Sequence, residues 1–380
     1  MLSTLVNILL FIFVIGFLTL IHELGHFLAA KIVGARVYEF SLGFGPKLVS
    51  KKYRETLYCI RIIPLGGFVK ILGDGDPSDY EEKGSKEDLQ ESKYNLNNKT
   101  KIAQVFVMLA GVFMNIFFAI VFYYAILGLN EWKSNPIYVD LDKVNIIGAE
   151  LETVVGYQIV EDGKAQDAGL PTYGVIKELN GNKVESRDGL VEMIGDKESV
   201  SLLICDDMGV ECDNYIVDVD KEGKIGVFIS HGHILDYGNN KIFAGPIYLV
   251  NNLRIISRVL GSMIGVARET GDYSDLSNTV SGPIGIFLLI DSLKTRGMIV
   301  FLSLIADLSI SLAIMNLLPI PALDGGRVLI IALEGVFRKE FDEKLKAIII
   351  NISMVLLIVL VVLVMVKDVV NIDTMRMMFE

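Results

Sequence analysis

The chain has 380 residues, of which 52% are hydrophobic, and its formal net charge at pH 7 is −11. Its mean hydropathy of +0.49 is too high for an ordinary soluble protein, yet it leaves room for a domain exposed to water. The acidic balance argues against a nucleic-acid partner, because protein surfaces that bind nucleic acid are basic.

Four parts of the chain are predicted to cross a lipid bilayer, since each contains an apolar run near the ~20 residues that a span needs. They are residues 1–33, 102–129, 298–328 and 347–366. Lys and Arg residues are concentrated in 31–70 and again between the last two spans. The positive-inside rule therefore places 34–101 in the cytoplasm, and it places 130–296 and both chain ends outside the cytoplasm.

The first apolar run ends in the motif His22-Glu23-Leu24-Gly25-His26. Two histidines four residues apart lie on one face of a helix, which suits two ligands of a single Zn²⁺ ion. Glu23 projects about 100° away around the helix and is placed to take a proton from a water molecule at the metal. The alternative is a chance match with hydrogen-bonded neutral histidines. We favour the metal site, because ionisable groups inside a membrane are costly and usually functional.

Residues 34–73 contain turn-rich and alternating stretches that predict a small sheet of β-hairpins, held close to the membrane on the metal's side. Such a sheet would present edge strands to an extended peptide, or it would shield the site as a plug. The polar and charged residues 74–101 are predicted to form a cytoplasmic loop.

In the second span, Gly111 and Asn115 share one helix face. A glycine lets two helices approach closely, and an asparagine amide in lipid needs a hydrogen-bond partner. An extended substrate backbone would provide that partner. Helix packing alone is the alternative, and it accounts for Gly111 fully and for Asn115 in part.

Residues 137–232 are predicted to form an α+β domain in water, because short strand patterns alternate with turn signals. Cys205 and Cys212 flank a short acidic segment, and both a disulfide and two free thiols on adjacent strands are compatible with that spacing. The pair His231 and His233 has weak spacing for a metal and is interpreted as part of a solvated linker. Residues 244–270 predict an amphipathic helix along the membrane surface.

The third span leads into the segment from Asn316 to Arg327, whose two prolines and two glycines cannot continue a regular helix. Asp324 in this segment is the candidate third metal ligand, since a catalytic zinc keeps three protein ligands and one open position. Asp307 lies in the middle of the span. It has no assigned role, and we expect it to face a polar interior or to pair with Ser303 or Ser311.

Together these motifs resemble the site-2 protease family of intramembrane zinc metalloproteases, in its bacterial branch. The resemblance covers nearly the whole chain and depends on His-Glu-x-x-His in the first span and Asn-x-x-Pro-x-x-x-Leu-Asp-Gly after the third. The run from Gly163 to Leu170 and the strand ending in Asn180-Gly181 are similar to a bacterial PDZ domain. The implied fold is a polytopic α-helical membrane protein with four transmembrane helices, a membrane-associated β-hairpin region and an inserted PDZ-like α+β domain.

The resemblance also implies an activity and a set of sites. The protein is expected to be a zinc metalloendopeptidase that cuts transmembrane segments of single-span proteins in the bacterial inner membrane, near its cytoplasmic side. The PDZ-like domain is expected to bind peptide C-termini. The implied zinc ligands are His22, His26 and Asp324, the catalytic base is Glu23, and the substrate-holding residues are Asn115 and Asn316. Val112 and Ser311 depart from the family pattern, in which proline and asparagine are usual.

Two other classes of function compete with a protease. One is a catalytically inactive scaffold that keeps a metal and binds peptides through its PDZ domain. The presence of Glu23 counts against this scaffold, because a structural metal site needs no base. The other is a metal transporter, which would need more polar groups within the membrane than the spans contain.

Overall fold

The computed structural model describes residues 2–73, 92–139, 141, 144–160, 163–205, 212–294 and 297–372. Most of the predicted loop at 74–101 therefore lies outside the described residues. The chain forms two compact units, Met1–Ile120 with Ser277–Glu380, and Val121–Leu276.

The described helices of eight or more residues follow in chain order. They are α1 Leu2–Ile32, α2 Lys101–Leu129, α3 Arg187–Ile194, α4 Ala244–Thr270, α5 Pro283–Leu293, α6 Met298–Leu317, α7 Asp324–Phe337 and α8 Glu343–Val370. Four of them contain a segment long and apolar enough to cross a membrane: Leu5–Ile32, Lys101–Leu129, Met298–Leu317 and Lys344–Val370. The four predicted spans are therefore present as helices.

The strands are β1 Val37–Tyr53, β2 Thr56–Ile71, β3 Glu150–Ile159, β4 Tyr173–Leu179, β5 Asn182–Lys183, β6 Ser199–Cys205, β7 Cys212–Asp218 and β8 Val227–Asp236. The first two form the antiparallel hairpin sheet predicted from residues 34–73. Both strands bend, so that each contributes two segments to the sheet. The first segment of β1, residues 37–42, pairs with 67–71 of β2 on one side, and its residues 39–42 pair with 57–60 of β2 on the other. The second segment of β1, residues 47–53, pairs with 56–61 of β2. The bends fall at Gly43 and Gly66, whose φ angles of +88° and +108° strongly favour glycine.

The break predicted after the third span is also present. Helix α6 ends at Leu317, close to Pro319 and Pro321, and α7 starts at Asp324. Proline removes a helix donor and clashes with the preceding turn, so the helix cannot run on. A new helix beginning at an aspartate is favoured, because the helix dipole stabilises a negative charge at its N-terminus.

The second unit contains a mainly antiparallel sheet in the order β7-β6-β4-β3-β8, with the short strand β5 paired to β4. Its core is made of buried aliphatic side chains from the sheet and from α3, including Leu190 and Ile194. A disulfide joins Cys205 to Cys212 across the β6–β7 hairpin, which decides between the two alternatives that the spacing left open.

Two expectations are corrected. His231 and His233 do not lie in a linker, because β8 continues through them to Asp236, and the side chain of His233 is buried. Pairing with β3 extends this strand beyond residue 232, where the sequence pattern had suggested that the domain ends. Asp307 does not face the interior: it is exposed on α6, whose buried face carries Leu304, Ile305 and Ser309. Ser311 Oγ donates to the Asp307 backbone carbonyl at 2.8 Å, and the alternative that the Asp307 side chain pairs with Ser303 or Ser311 stays a prediction.

In the first unit, a buried carboxylate joins three segments. The side chain of Glu334 on α7 accepts hydrogen bonds from Lys101 Nζ of α2 at 2.8 Å, Lys346 Nζ of α8 at 2.9 Å and the Phe341 amide at 3.1 Å. Burial alone would raise the pKa of Glu334, but the hydrogen bonds from both lysines outweigh it and lower that pKa below the usual 4.5.

We expect Glu334→Gln to lower the thermal midpoint of the detergent-solubilised protein at pH 7. The shift should be about 2–4 °C for each kcal/mol by which the free energy of unfolding falls. A carboxyl with a lowered folded-state pKa stabilises the fold above its unfolded-state pKa, and this contribution disappears as the pH falls through the folded-state value. The difference between variant and wild type should therefore shrink below about pH 4.5. Glu340→Gln, an exposed neighbour, is the control. An equal loss in both variants would contradict the role of Glu334.

Candidate metal centre

Three side-chain atoms from two separate helices converge in the first unit. His22 and His26 lie one turn apart on α1, and Asp324 is the first residue of α7. Asp324 Oδ2 is 3.0 Å from His22 Nε2 and 3.2 Å from His26 Nε2. The two Nε2 atoms are themselves 3.2 Å apart. Each residue thus contributes one potential ligand atom to a compact triangle.

The shape of this triangle fits a zinc ion. Protein ligands stand ~2.0–2.2 Å from zinc in a tetrahedral arrangement, so neighbouring ligand atoms are separated by roughly 3.4 Å. The observed separations of 3.0–3.2 Å are close to that edge length. Within the described part of the chain, the buried Asp324 Oδ2 has no partner with hydrogen-bond geometry. Asp324 Oδ2 and the two Nε2 atoms therefore surround a common centre, and Oδ2 keeps a lone pair for an ion there.

The outer nitrogen of His26 is fixed by α2. His26 Nδ1 lies 2.8 Å from the backbone carbonyl of Val107, which can only accept a hydrogen bond. The proton must therefore be on Nδ1, and the lone pair of Nε2 faces the centre. This is the tautomer that a metal ligand requires. This contact could not be predicted from the sequence, because any residue supplies a backbone carbonyl.

The outer nitrogen of His22 is contacted by Asn115. Asn115 Nδ2 lies 3.2 Å from His22 Nδ1, and the residue is fully buried. Asn115 Oδ1 is buried and has no hydrogen-bond partner among the described residues. The amide orientation that places Oδ1 on the His22 Nδ1–H group satisfies both residues and leaves His22 Nε2 for a metal. Ser309 Oγ of α6 donates to the Asn115 backbone carbonyl at 2.9 Å.

Helices α1 and α2 approach closely beside the two histidines. A Cβ atom on Gly111 would stand 2.5 Å from His26 Nε2 and 2.6 Å from His22 Cε1. A Cβ atom on Gly25 would overlap the backbone carbonyl of Ala110. Glycine is therefore required at Gly111 for the imidazoles as well as for the helix contact that the sequence predicted.

The remaining two predicted residues lie at the same place. Asn316 Nδ2 is 3.4 Å from His22 Nε2. Glu23 is half-buried, and its carboxyl lies within electrostatic range of both histidines and Asp324. It also lies near β2, because a Cβ atom on Gly67 would stand 3.6 Å from Glu23 Cγ. The structure thus brings all six predicted residues together. Gly67 was missed, since its neighbours in sequence suggest only a turn.

Comparison with known proteins agrees with this site. The model of peptidase family M50 matches residues 10–360. A putative zinc metalloprotease of Clostridium perfringens is 31% identical over 93% of this chain and 95% of that protein. The regulator of sigma-W protease RasP of Bacillus subtilis is 26% identical over 96% of this chain and 98% of its own length. A zinc metalloprotease RasP of Bacillus licheniformis is 27% identical over similar shares, 96% and 98%.

The family match reaches all four candidate spans and includes His22, His26 and Asp324. The comparisons favour a protease over the metal-binding scaffold and confirm Zn²⁺ as the cofactor expected from the sequence. The chain is thus a multi-pass membrane zinc metalloprotease, and it belongs to peptidase family M50.

Proposed function

We propose that this protease is an endopeptidase that cuts transmembrane segments of single-span membrane proteins, with His22, His26 and Asp324 as zinc ligands and Glu23 as the catalytic base. The observation that carries the proposal is the convergence of His22 Nε2, His26 Nε2 and Asp324 Oδ2 at 3.0–3.2 Å between helices of the membrane-spanning unit.

The chemistry follows from the side chains around this centre. Zn²⁺, when bound, supplies a Lewis acid that polarises the scissile carbonyl and lowers the pKa of the attacking water. Glu23 takes the proton of that water and passes it to the leaving amine. Val107 and Asn115 hold the two imidazoles in the required tautomer. Asn316, beside His22 Nε2, is placed to hold the substrate backbone next to the reacting carbonyl.

A transmembrane helix hides its carbonyl groups in hydrogen bonds, so the substrate has to be extended before it is cut. The half-strand 67–71 of β2 pairs with β1 on one side, and its Gly67 end lies next to Glu23. An extended substrate added to the other edge would bring its peptide bonds beside the base. The hairpin sheet then presents the substrate, as the sequence suggested, and it also shields the site from water.

The charge pattern supports an orientation in the bacterial inner membrane. Positive flanks place the hairpin sheet and the metal centre toward the cytoplasm, and both chain ends and the domain at 137–232 outside. That domain is proposed to be PDZ-like and to receive peptide C-termini of partner proteins. Anti-sigma factors and signal-peptide remnants are the proposed substrates, and the name of the Bacillus subtilis relative, regulator of sigma-W protease, supports the first class.

We expect Glu23→Gln to keep about one zinc per chain and to lower the cleavage rate of single-span reporter proteins by roughly 10²–10⁴-fold. The amide cannot accept the proton, but it is not a metal ligand. Zinc content and cleavage are measured on the same purified samples in detergent. Glu269→Gln, an exposed residue of α4, is the matched control and should cut like wild type.

A Glu23→Gln variant that cuts at the wild-type rate would rule out this residue as the base. Wild-type protein that holds zinc and cuts none of the reporters, even after their outer domains are trimmed, would contradict the proposed reaction. A wild-type chain without zinc would contradict the ligand set.

Asn115 is tested by two substitutions. If it orients His22, Asn115→Ala should weaken zinc binding roughly 10–100-fold, while Asn115→Asp should restore it, because a carboxylate also accepts the Nδ1–H hydrogen bond. Zinc affinity is measured by competition with a chelator. If Asn115 only holds substrate, the alanine variant will bind zinc like wild type and show a raised KM.

Gly111→Ala should reduce zinc affinity roughly tenfold or more, because the new methyl group displaces both imidazoles. Gly265→Ala in α4 is the matched control, since a Cβ atom there meets nothing within 4 Å. The control should keep its zinc and should not lose thermal stability, because alanine favours a helix over glycine. Equal zinc affinity in both variants would show that the close approach of α2 does not shape the centre.

A further inference from the structure

Two neighbouring strands of the second unit separate and leave a cleft. Strand β3 pairs with β8 along its whole length, from Glu150 to Ile159. It pairs with β4 only over Val155–Gln158. Within the described residues, the other edge of β3 over 150–154 has no ladder partner. Backbone donors and acceptors on such an edge are available to another chain.

The split has a local cause in β4. The pairing of β4 with β6 shifts register between Ile176 and Glu178, as a β-bulge does, and a bulge bends the strand that carries it. Beyond this point β5 occupies the edge of β4 that would otherwise face β3. Lys183 pairs with Glu178, and the Val184 amide donates to the Lys177 carbonyl at 2.9 Å. The free edge of β3 therefore faces β5 across an open space.

The open space is a cleft of about 700 Å³ lined by residues of β3, β4, β5 and the segment just after β5. This volume lies in the range of sites that bind small ligands or short peptides. Its floor is apolar, because Val154, Ile176 and Val184 line it and are buried. A floor of this kind takes the apolar side chains on one face of an added strand.

The rim of the cleft is charged and is formed by Glu152, Lys177, Glu178, Lys183 and Glu185. Glu152 is paired with Lys133 at 2.9 Å, and Glu185 with Lys183 at 3.5 Å. Glu178 is half-buried and lies opposite Lys183 in the β4–β5 ladder, but Lys183 makes its ion pair with Glu185. A positive side chain in the cleft would pair with the Glu178 carboxylate.

We propose that this cleft binds an internal, extended peptide segment, which adds as a strand to the free edge of β3 and directs a Lys or Arg side chain to Glu178. The Glu178 carboxylate disfavours a chain end that carries its own carboxylate, so this site differs from one for peptide C-termini. That the segment belongs to the outer part of a membrane protein rests on the proposed function. The binding itself does not depend on proteolysis.

The test uses the full-length Glu23→Gln protein in detergent, so that a failure of binding is separate from a failure of cleavage. The probe is a fluorescent peptide about six residues long, enough to span the free edge. It alternates Val with Lys and is blocked at both ends by acetyl and amide groups. Fluorescence anisotropy should show saturable binding. Glu178→Lys should weaken it roughly tenfold or more, since a like charge then faces the ligand.

Glu192→Lys, an exposed residue of α3, makes the same change of charge away from the cleft and should bind like the Glu23→Gln parent. A peptide with Glu in place of Lys should bind the Glu178→Lys variant better than the parent, which also shows that the variant is folded. Equal affinity of the Lys peptide for parent and Glu178→Lys protein, or an equal loss in the Glu192→Lys control, would overturn the site.

Strand addition is tested on the peptide backbone. Alternate main-chain N–H groups of a strand face the same neighbour, so N-methylation of one alternate set should abolish binding and N-methylation of the other should leave it nearly unchanged. Equal binding of both methylated peptides would contradict strand addition. Tighter binding of the same peptide with a free C-terminal carboxylate would contradict an internal segment.

Discussion

The structure of the membrane-spanning unit depends on one constraint: polar side chains within a bilayer need hydrogen-bond partners. His22, His26 and Asn115 lie on helices that are otherwise apolar, where an unsatisfied polar group costs several kcal/mol. Each has a contact on another element: His26 with the Val107 carbonyl, and His22 and Asn115 with each other. These contacts also determine which nitrogen atom of each histidine faces the metal centre. The same hydrogen bonds therefore satisfy polar groups within the bilayer and orient the imidazoles for a metal ion.

The arrangement of the metal centre also constrains where the helices end and how closely they approach each other. Asp324 reaches the centre because α6 stops at Leu317 and a new helix starts at Asp324, which a continuous third span would not allow. The imidazoles fit because Gly111 leaves no side chain between them and α2. The serine of α6 that binds the Asn115 carbonyl adds a third helix to the same arrangement. The break between α6 and α7, the glycine at Gly111 and the polar residue Asn115 therefore all contribute to the same centre.

The candidate metal ligands could be predicted from the sequence, because their arrangement depends on the spacing of nearby residues. The four-residue separation of His22 and His26 specifies one helix face, and the prolines before Asp324 specify a break. The contacts between distant elements were not accessible in the same way. The Val107 carbonyl has no signature, and the proximity of Gly67 to Glu23 follows from the bends of β2. His233 was misplaced because its burial depends on pairing of β8 with β3, a partner more than seventy residues earlier.

Each unit has a strand segment that pairs on one side only among the described residues. In the first unit the edge of β2 that begins at Gly67 lies beside the proposed base, and in the second the edge of β3 borders a cleft with an apolar floor. A strand edge binds main-chain groups, and those of a folded helix are already used. Neither edge therefore accepts a helix or an intact domain. If both act on substrates, selection favours proteins that are locally extended, and a stable transmembrane helix is spared until it unwinds. The resistance of a membrane protein to this enzyme would then depend on the helical stability of its span as well as on its sequence.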